Sequence, residues 1–304
     1  MQPNILILKP YIQEKVWGGN RLKDYGYECL YDNRNGEAWL ISAIENKSSI
    51  VVNANDVSLL EYYNNHQDFF NNYNKPYPLL VKIIDANDDL SVQVHPNDEY
   101  AFKKHNQYGK WECWYVLDCN NNANVVYGHN AKNKEELTNL INQKEWNKLL
   151  VNKPIKIGDV IDVPPGTVHA IKSSSLIYEL QQSSDITYRL FDYDRLDNNQ
   201  PRTLHIEDSI NTIYYPQDNL KIQSGLNNAS LINNEKFKLE KINNINRNYY
   251  LYDNAHWIQG TVIEGNGLID DIEIKKGSNF IVKHNHKFCL NGNMQILISY
   301  VSIN

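Results

Sequence analysis

Residues 90–96 read Leu-Ser-Val-Gln-Val-His-Pro and alternate polar with apolar side chains. In a β-strand, successive side chains point to opposite faces. Val92 and Val94 therefore share one face, and the other face carries Ser91, Gln93 and His95. A strand with valine on one side and glutamine and histidine on the other borders a polar space. We expect this stretch to line a binding site inside a β structure.

Most of the remaining chain predicts short strands separated by turns. Runs rich in Val, Ile and Tyr, bounded by Asn, Asp, Gly and Pro, occupy residues 79–85, 90–96, 111–119, 124–129 and 176–182. Apolar residues at helical spacing predict helices at 58–70, 133–151 and 205–213. Asn133 is the expected N-cap of the second helix, with Glu136 three residues on. Strands dominate without regular βαβ alternation, which favours a sandwich or barrel with helical insertions.

A weak internal repeat indicates two related β-domains. Residues 155–171 resemble residues 272–290 when Gly158 is laid on Gly277, and His169 then falls opposite Phe288. This pattern suggests that only the first copy keeps a ligand. We expect a catalytic domain over residues 1–230 and a degenerate β-domain over 231–304, with the junction in the Asn-rich stretch near 227–235.

Composition excludes several classes of protein. The 304 residues are 41% hydrophobic and carry a net charge of −6, which does not resemble the basic footprint of a nucleic-acid binder. No apolar run approaches the roughly 20 residues of a membrane helix, and the apolar run Ile5–Leu8 is too short for a signal peptide. The four cysteines show no CxxC spacing, as in reducing compartments. We expect a cytoplasmic protein that binds neither membranes nor nucleic acids.

The strand predicted after residue 110 contributes a carboxylate. One face carries Lys110, Glu112 and Trp114, and the other carries residues expected to pack in the core: Trp111, Cys113 and Tyr115. A third element begins after the turn at residues 164–167, Pro-Pro-Gly-Thr. This turn constrains the backbone and presents His169 at the start of the following strand.

Two histidines, a carboxylate and an amide form a plausible zinc site with open positions for water or substrate. The candidate ligands are Gln93, His95, Glu112 and His169. A single strand histidine is more often structural. The order of these residues nevertheless favours one shared site, because barrel strands distant in sequence converge on one interior. The pair His284 and His286 has no matching carboxylate nearby and is expected at the surface.

Seven motifs, in the same order along the chain, resemble those of a known family. They are VWGG (16–19), GEAW (36–39), LVKI (80–83), SVQVHP (91–96), KWE (110–112), PGTVHA (165–170) and DITYRLFDYDR (185–195). Together they resemble the type I mannose-6-phosphate isomerases, particularly the short bacterial form. The resemblance covers residues 16 to 195, and the C-terminal hundred residues share only length and β pattern with that family.

The resemblance implies a mainly β fold, a cupin-type β-barrel (jelly roll) with helical insertions and a second, degenerate C-terminal β-domain. It implies a zinc-dependent aldose–ketose isomerase that interconverts D-mannose 6-phosphate and D-fructose 6-phosphate through an enediol(ate), with one Zn²⁺ per chain. The implied ligands are His95, Glu112 and His169, with Gln93 either a fourth ligand or replaced by water. The family's active-site arginine falls on Arg189.

An isomerase also needs a proton carrier, for which the candidates are Lys110, Glu179 and Asp185. Each has a simpler alternative role. Lys110 is otherwise an exposed strand lysine, and Glu179 and Asp185 are otherwise ion-pair partners of Arg189. Arg189 itself either orients the substrate through paired hydrogen bonds or forms a salt bridge to Asp192 or Asp194.

Three further residues are candidates for binding the sugar phosphate. Lys82 and Ser91 are the expected phosphate anchors, and Trp17 either walls the pocket or is a buried structural aromatic. Two rival functions stay open at this point. One is another metal-dependent cupin enzyme, such as an iron oxygenase, and the other is a non-catalytic sugar-phosphate-binding module.

Overall fold

A computed structural model describes residues 2–217, 219–226 and 230–303, and these residues form mainly antiparallel strands. In chain order the strands are β1 Ile5–Lys9, β2 Tyr11–Gly19, β3 Asn35–Ile41, β4 Ile50–Val51, β5 Val57–Ser58, β6 Leu79–Ala86, β7 Val92–Val94, β8 Glu112–Cys119, β9 Asn124–His129, β10 Leu150–Pro154, β11 Val160–Val163, β12 His169–Ile171, β13 Ser175–Gln182, β14 Tyr188–Phe191, β15 Leu196–Asp197, β16 Gln200–Pro201, β17 Ile222–Gln223, β18 Ser230–Asn233, β19 Lys238–Asn244, β20 Arg247–Tyr250, β21 Ile258–Ile269, β22 Ile272–Lys275, β23 Asn279–Val282 and β24 Phe288–Tyr300. The mainly β prediction is confirmed.

Helices occupy the connections between groups of strands. They are α1 Leu59–Asn65, α2 Asp98–His105, α3 Lys134–Asn142, α4 Trp146–Leu149 and α5 Ile206–Thr212, with 3-10 helices at Arg21–Tyr25 and Gln67–Phe70. Among the described residues, no helix combines the length and apolar character needed to cross a lipid bilayer.

Two sheets form the walls of the first β-domain. One has seven strands in the order β17-β11-β8-β13-β6-β2-β3, and the other has five in the order β10-β9-β12-β7-β14. Side chains from both sheets, including Trp114 of β8 and Tyr127 of β9, pack in one buried cluster between them. The cupin-type arrangement expected from the sequence is confirmed, and the polar face of β7 turns toward its interior.

The predicted alternation of faces is confirmed on the strands that carry candidate ligands. Val92 and Val94 are fully buried in an apolar cluster on the outer side of their sheet. On β8, Cys113 and Tyr115 pack in the largest apolar cluster, which also contains Phe237 from the connection between β18 and β19. The outer face of β8 is therefore buried against the second domain, and its inner face is free to carry Glu112 and Trp114.

The second β-domain is one ten-stranded sheet that follows the order β18-β19-β24-β21-β23-β1-β4-β5, with β20 paired to β24 and β22 to β21. Strand β1, near the N-terminus, joins this sheet by pairing with β23, Ile5 opposite Val282. Phe288 is 1% exposed and packs in a wholly apolar cluster. A boundary at 230/231 stays a prediction, and residues 227–229 of the expected junction lie outside the described residues.

The helix predicted over 133–151 is partly wrong. It divides into α3 and α4, and its last residues belong to β10 instead. Lys144 between the two helices has a left-handed φ of 57°, and Leu150 pairs with His129 of β9. The predicted cap is confirmed, because the Asn133 side chain accepts a hydrogen bond of 2.9 Å from the backbone N–H of Glu136. The prediction over 58–70 is likewise realised as α1 followed by a 3-10 turn.

Candidate metal centre and substrate cleft

Three side chains converge at the inner ends of β7, β8 and β12. His95, Glu112 and His169 offer ligand atoms that all lie within 4.8 Å of one another. The two Nε2 atoms are 3.2 Å apart, and each lies 3.3 Å from a carboxylate oxygen of Glu112. All three residues are at most 1% exposed. The structure thus brings together the three metal ligands expected from the sequence.

The strand register and one turn create this convergence. His169 stands directly opposite Gln93 in the β7–β12 pair, so His95 and His169 emerge from neighbouring strands. Gly166 in the preceding turn adopts a left-handed φ of 84°, and its N–H donates to the carbonyl of His95 at 2.8 Å. Glycine is favoured there because other residues are strained at that φ and a Cβ would lie 2.9 Å from the carbonyl oxygen of Thr212.

The orientation of the two imidazoles tests whether a cation fits. His95 Nδ1 lies 3.0 Å from the carbonyl of Ile186, and His169 Nδ1 lies 2.8 Å from the carbonyl of Thr167. An Nδ1–H that donates to a carbonyl leaves Nε2 as an unprotonated acceptor. Two such acceptors therefore face each other and a carboxylate in a buried space. This donor set repels itself unless positive charge lies close to it. The ammonium of Lys110 supplies such charge on one side, and a metal ion among the three ligand atoms would complete the compensation.

Burial supports the same protonation state. It lowers the pKa of His95 to about 3, helped by the neighbouring ammonium of Lys110. Burial also lowers the pKa of His169. Glu112 Oε2 lacks a hydrogen bond of good geometry to the described residues. Two neutral imidazoles and one carboxylate are ligands typical of catalytic zinc sites, so the residues present fit a metal ion.

Lys110 lies beside the triad. Its Nζ is 3.0 Å from Glu112 Oε2 and 3.1 Å from His95 Nε2. The residue is only 4% exposed, so the alternative of an exposed strand lysine is wrong. Its position places an ammonium directly beside the ligand atoms of the His95–Glu112–His169 cluster.

A cleft of about 310 Å³ opens from Lys110 toward solvent. Six cationic side chains line it, Lys15, Lys47, Lys82, Lys110, Arg189 and Arg202, against three carboxylates, Glu37, Glu179 and Asp185. The cleft is therefore positively charged although the whole chain carries a net charge of −6. A field of this sign attracts an anionic ligand.

Lys82 and Glu179 form a buried ion pair on neighbouring strands β6 and β13. Their charged atoms are 3.1 Å apart, and the Lys82 ammonium also lies 5.0 Å from the centre of the Trp39 ring. Burial alone lowers the pKa of Lys82, but Glu179 and Glu37 outweigh it and raise that pKa to about 12. Glu179 therefore pairs with Lys82, and its expected alternative pairing with Arg189 is wrong.

Burial and the nearby Glu112 carboxylate raise the pKa of Glu179. Its Oε2 accepts a hydrogen bond of 3.1 Å from the indole of Trp114, which also lies 3.0 Å from Glu112 Oε1. A carboxyl group with a raised pKa at the edge of a cleft is suited to proton transfer.

Glu37 and Trp39 belong to a quoted motif but received no role from the sequence. The Trp39 indole donates to Glu37 Oε2 at 2.7 Å, and Lys15 Nζ lies 3.5 Å from the same oxygen. Burial opposes ionisation of Glu37, but Lys15 and Lys82 hold its pKa down at about 2. Their spacing of two residues was the available signal, since in a strand such as β3 it places both side chains on one face.

Gln93 on β7 lies between two pairing partners. His169 on β12 pairs with it from one side, and Arg189 on β14 pairs with it from the other. One terminal nitrogen of Arg189 donates to the carbonyl of Thr203 at 2.9 Å, and its buried Nε has no hydrogen-bond partner among the described residues. Asp192 pairs with Arg195 and Arg202 instead. The alternative salt bridge from Arg189 to Asp192 or Asp194 is therefore wrong, and the guanidinium of Arg189 has no carboxylate partner among the described residues.

Arg202 and His205 also line the cleft, and sequence reasoning missed both of them. The backbone N–H of Arg189 donates to His205 Nδ1 at 3.2 Å, and the N–H of His205 donates to the carbonyl of Arg189 at 2.8 Å. Burial and Arg189 lower the pKa of His205. The neutral ring therefore accepts at Nδ1 and carries its proton at Nε2. Residues 205–213 were interpreted only as a helix, and no motif marked this contact.

The other predicted residues all line the same cleft: Trp17, Ser91, Gln93 and Asp185. Trp17 is both buried and part of the wall, so its two expected roles coincide. Asp185 lies at the mouth, where its half-exposed carboxylate is 3.5 Å from Lys47 Nζ. It pairs with that lysine and not with Arg189. His284 and His286 are half-buried residues of the second domain and are not part of the group formed by His95, Glu112 and His169.

Comparison with known proteins gives a consistent result. Residues 5–111 match the family described as Phosphomannose isomerase type I, catalytic domain. The mannose-6-phosphate isomerase ManA of Bacillus subtilis is 39% identical, over 97% of this chain and 98% of that protein. The mannose-6-phosphate isomerase of Streptococcus mutans is 40% identical, over 97% of this chain and 98% of its own length.

A solved structure agrees with this assignment. The crystal structure of the mannose 6-phosphate isomerase from Bacillus subtilis matches with a TM-score of 0.90 and 34% identity, covering 98% of this chain and 99% of that one. Sequence and fold agree along nearly the whole length of both chains. The chain therefore belongs to the type I phosphomannose isomerases, a family of enzymes with a cupin-type fold.

Proposed function

We propose that the protein interconverts D-mannose 6-phosphate and D-fructose 6-phosphate, using one zinc ion held by His95, Glu112 and His169. The observation that carries this proposal is the union of two features in one cleft. A buried cluster of neutral imidazoles and a carboxylate lies beside Lys110, and the cleft that leads to it carries excess positive charge. Such a site suits a small anionic substrate that must develop negative charge on an oxygen.

The bound zinc ion supplies Lewis-acid stabilisation of that negative charge. Zinc has no redox chemistry, which agrees with an isomerisation that has no net oxidation. Gln93, which faces the cleft between the strands of His169 and Arg189, is the proposed fourth ligand or the residue that holds a water in that position.

The phosphate belongs at the end of the cleft marked by Arg189. Neighbouring strands lie about 4.8 Å apart, so β14 lies about 10 Å from β12 across β7. A hexose phosphate that spans this distance has its reacting carbons at the metal and its phosphate at Arg189. Arg202, whose guanidinium is held by Asp192, and the Nε2–H of the neutral His205 ring supply further hydrogen-bond donors beside it.

Lys82 and Ser91, the anchors expected from the sequence, lie deeper in the cleft. Because the charge of Lys82 is already matched by Glu179, we propose that Lys82 and Ser91 contact the sugar hydroxyls and that Arg189 supplies the uncompensated charge. The buried ring of Trp17 walls the same part of the cleft.

The proton carriers follow from position and pKa. In the reaction a proton passes between C2 and C1 through an enediolate, and the neighbouring oxygens exchange a proton. We propose Lys110 for one of these transfers, since it lies against the metal triad, and Glu179 for the other, since its pKa is raised. Asp185 is exposed at the mouth of the cleft and is proposed only as a secondary candidate for proton transfer. Its carboxylate pairs with Lys47 and holds that side chain in place.

A coupled assay for fructose 6-phosphate formation tests the proposal. Wild type, His95→Ala and Arg189→Ala are compared, and the metal content of each is measured. Activity is expected to collapse in both variants, with zinc lost only from the first. Chelation is expected to abolish wild-type turnover and added zinc to restore it. Normal turnover by fully metal-free protein would refute the mechanism.

The two rival functions are outcomes of the same experiment. Iron in the purified protein together with consumption of oxygen identifies another metal-dependent cupin enzyme. Binding of mannose 6-phosphate without turnover identifies a non-catalytic sugar-phosphate-binding module.

A further inference from the structure

We propose that Lys236, on the second β-domain, positions Lys110 for catalysis through the carboxylate of Asp98. This inference rests on the proposed function, in which Lys110 transfers a proton. It assigns a catalytic contribution to a domain that holds none of the cleft's proposed catalytic residues. Lys236 and Asp98 are positioning residues, because neither lines the cleft nor contacts the metal triad.

The backbone around Lys110 is held at three consecutive N–H groups. Gly109 donates to Asp98 Oδ1 at 2.8 Å, Lys110 donates to the carbonyl of Pro96 at 3.0 Å, and Trp111 donates to Gln182 Oε1 at 2.9 Å. Two of these three acceptors are side-chain atoms, so the loop depends on where Asp98 and Gln182 are placed. Lys110 itself lies between the two side-chain acceptors.

Gly109 packs very closely against the segment that follows His95. A Cβ at this position would lie 2.5 Å from the carbonyl carbon of Asn97 and 2.6 Å from the nitrogen of Asp98. Contacts this short displace the backbone. The loop that carries Lys110 is therefore fitted directly onto the residues following the first metal ligand.

Asp98 connects this loop to the second domain. Its Oδ1 accepts from Gly109 and also from Gln182 Nε2 at 3.1 Å. Its Oδ2 lies 2.9 Å from the Nζ of Lys236. The Asp98 carboxylate is thus one of the two side-chain acceptors that hold the neighbours of Lys110, and it orients the other, Gln182. The ammonium of Lys236, which also lies 3.3 Å from Glu235 Oε1, holds the second oxygen of that carboxylate.

Lys236 is presented by a rigid turn between β18 and β19. The side chain of Asn234 accepts hydrogen bonds of 2.9 Å from the N–H groups of both Lys236 and Phe237. Phe237 is 1% exposed and packs in the cluster shared by the two domains. The turn is therefore anchored to the first domain, and Lys236 approaches Asp98 from a fixed backbone.

The pair is too exposed for its main effect to be on stability. The side chains of Lys236 and Asp98 are 31% and 28% exposed, and pairs of this kind contribute little to folding. The catalytic rate depends on this pair more than the stability does, since a small displacement of a catalytic group lowers the rate strongly. Loss of the pair is thus expected to appear in kcat before it appears in the unfolding temperature.

The test compares Lys236→Met with a matched control, Lys283→Met. Lys283 also follows a strand of the second domain and pairs with a carboxylate distant in the chain, Asp68 at 3.1 Å, and its side chain is 30% exposed. Lys236→Met is expected to lower kcat about tenfold and to leave KM within about twofold, as for a displaced catalytic group. Lys283→Met is expected to keep the wild-type kcat.

Two further variants separate positioning from general damage. Lys236→Arg restores a cation and is expected to recover most of the lost kcat. Asp98→Asn removes the negative charge that pairs with Lys236. If both residues act through this pair, the kcat of the double variant Asp98→Asn/Lys236→Met is expected to be no lower than that of the more impaired single variant. Zinc content and unfolding temperature are expected to match those of the wild type in Lys236→Met.

Hydrogen exchange supplies a readout that does not depend on turnover. The amides of residues 109–111 are expected to exchange faster in Lys236→Met than in wild type or Lys283→Met. The inference is overturned if Lys236→Met keeps the wild-type kcat and the wild-type exchange rates at residues 109–111. It is also overturned if the loss of kcat in this variant is explained by a loss of zinc. An inactive wild type overturns the proposed function instead, while faster exchange still supports the link from Lys236 through Asp98 to the Lys110 loop.

Discussion

Replacing Glu37 with glutamine is expected to destabilise the protein by about 3 kcal/mol at neutral pH. The substitution keeps an oxygen for the indole of Trp39, which donates to Glu37 at 2.7 Å. It removes the negative charge that faces Lys15 and Lys82. The variant therefore isolates the charge of a side chain that is only 8% exposed.

The magnitude follows from proton linkage. The pKa of Glu37 falls from its ordinary 4.5 to about 2 in the folded protein, and one pKa unit corresponds to about 1.4 kcal/mol. A carboxyl group whose pKa is depressed by folding stabilises the folded state above pH 4.5 and loses this effect as the pH falls toward 2. The difference between wild type and variant is expected to be about 3 kcal/mol at pH 7 and about 2 kcal/mol near pH 3.5.

Urea unfolding followed by tryptophan fluorescence at several pH values measures this difference. Glu28→Gln is the control, because Glu28 forms an exposed pair with Lys9 and its loss is expected to leave the unfolding midpoint unchanged. A Glu37→Gln penalty that is the same at pH 7 and pH 3.5 would refute the reasoning, since it would then reflect packing and not charge.

Three other predictions follow from the site. Gly166 has a φ of 84°, which strains any residue with a Cβ, so Gly166→Ala is expected to lower the free energy of unfolding by about 1–3 kcal/mol in a urea titration. Metal analysis of the same variant is expected to show a lower zinc content. Arg202→Met is expected to raise KM for mannose 6-phosphate about tenfold, the loss of one charged hydrogen bond, with little change in kcat in the coupled assay. A chelator is expected to lower the unfolding temperature of wild type, because the metal binds only the folded state, and calorimetry of Glu112→Gln should show no such response.

The local pattern of residues 90–96 was sufficient to predict the faces of β7. A strand alternates its side chains with a period of two regardless of what surrounds it, so the placement of Val92 and Val94 against the core followed directly. The same argument correctly placed Glu112 and Trp114 inside and Cys113 and Tyr115 outside. The cap at Asn133 was equally local, since it joins residues three apart.

Predictions failed where a distant strand decided the outcome. The helix over 133–151 ends early because Leu150 pairs with β9, a contact that outweighs local helical periodicity. Lys110 was open to interpretation as an exposed lysine, yet it is buried because Asp98, Pro96 and Gln182 hold its loop against the metal triad. Each of these partners lies at least 12 residues away or belongs to another element.

The ion pairs of the cleft show the same limit. Charge alone did not indicate that Glu179 pairs with Lys82, or that Asp192 pairs with two arginines and leaves Arg189 without a carboxylate partner among the described residues. The pairing of Glu179 with Lys82 depends on the register between β6 and β13, which no single stretch of sequence specifies. Asp192 pairs with arginines of its own segment, and the path of that loop decides which of the nearby arginines it reaches. Arg202 and His205 were missed because a loop brings them back to β14 over a connection without a motif.

The sequence by itself determined the family, the alternating faces of the site strands and the three residues of the candidate metal site, because ordered motifs and side-chain periodicity are local properties. Only the tertiary structure decided which charges in the cleft compensate one another and which stay available to a ligand. It also decided that Lys236 of the second domain reaches Asp98, which holds the loop of Lys110. These are distances between elements far apart in the chain, and packing, not local preference, sets them.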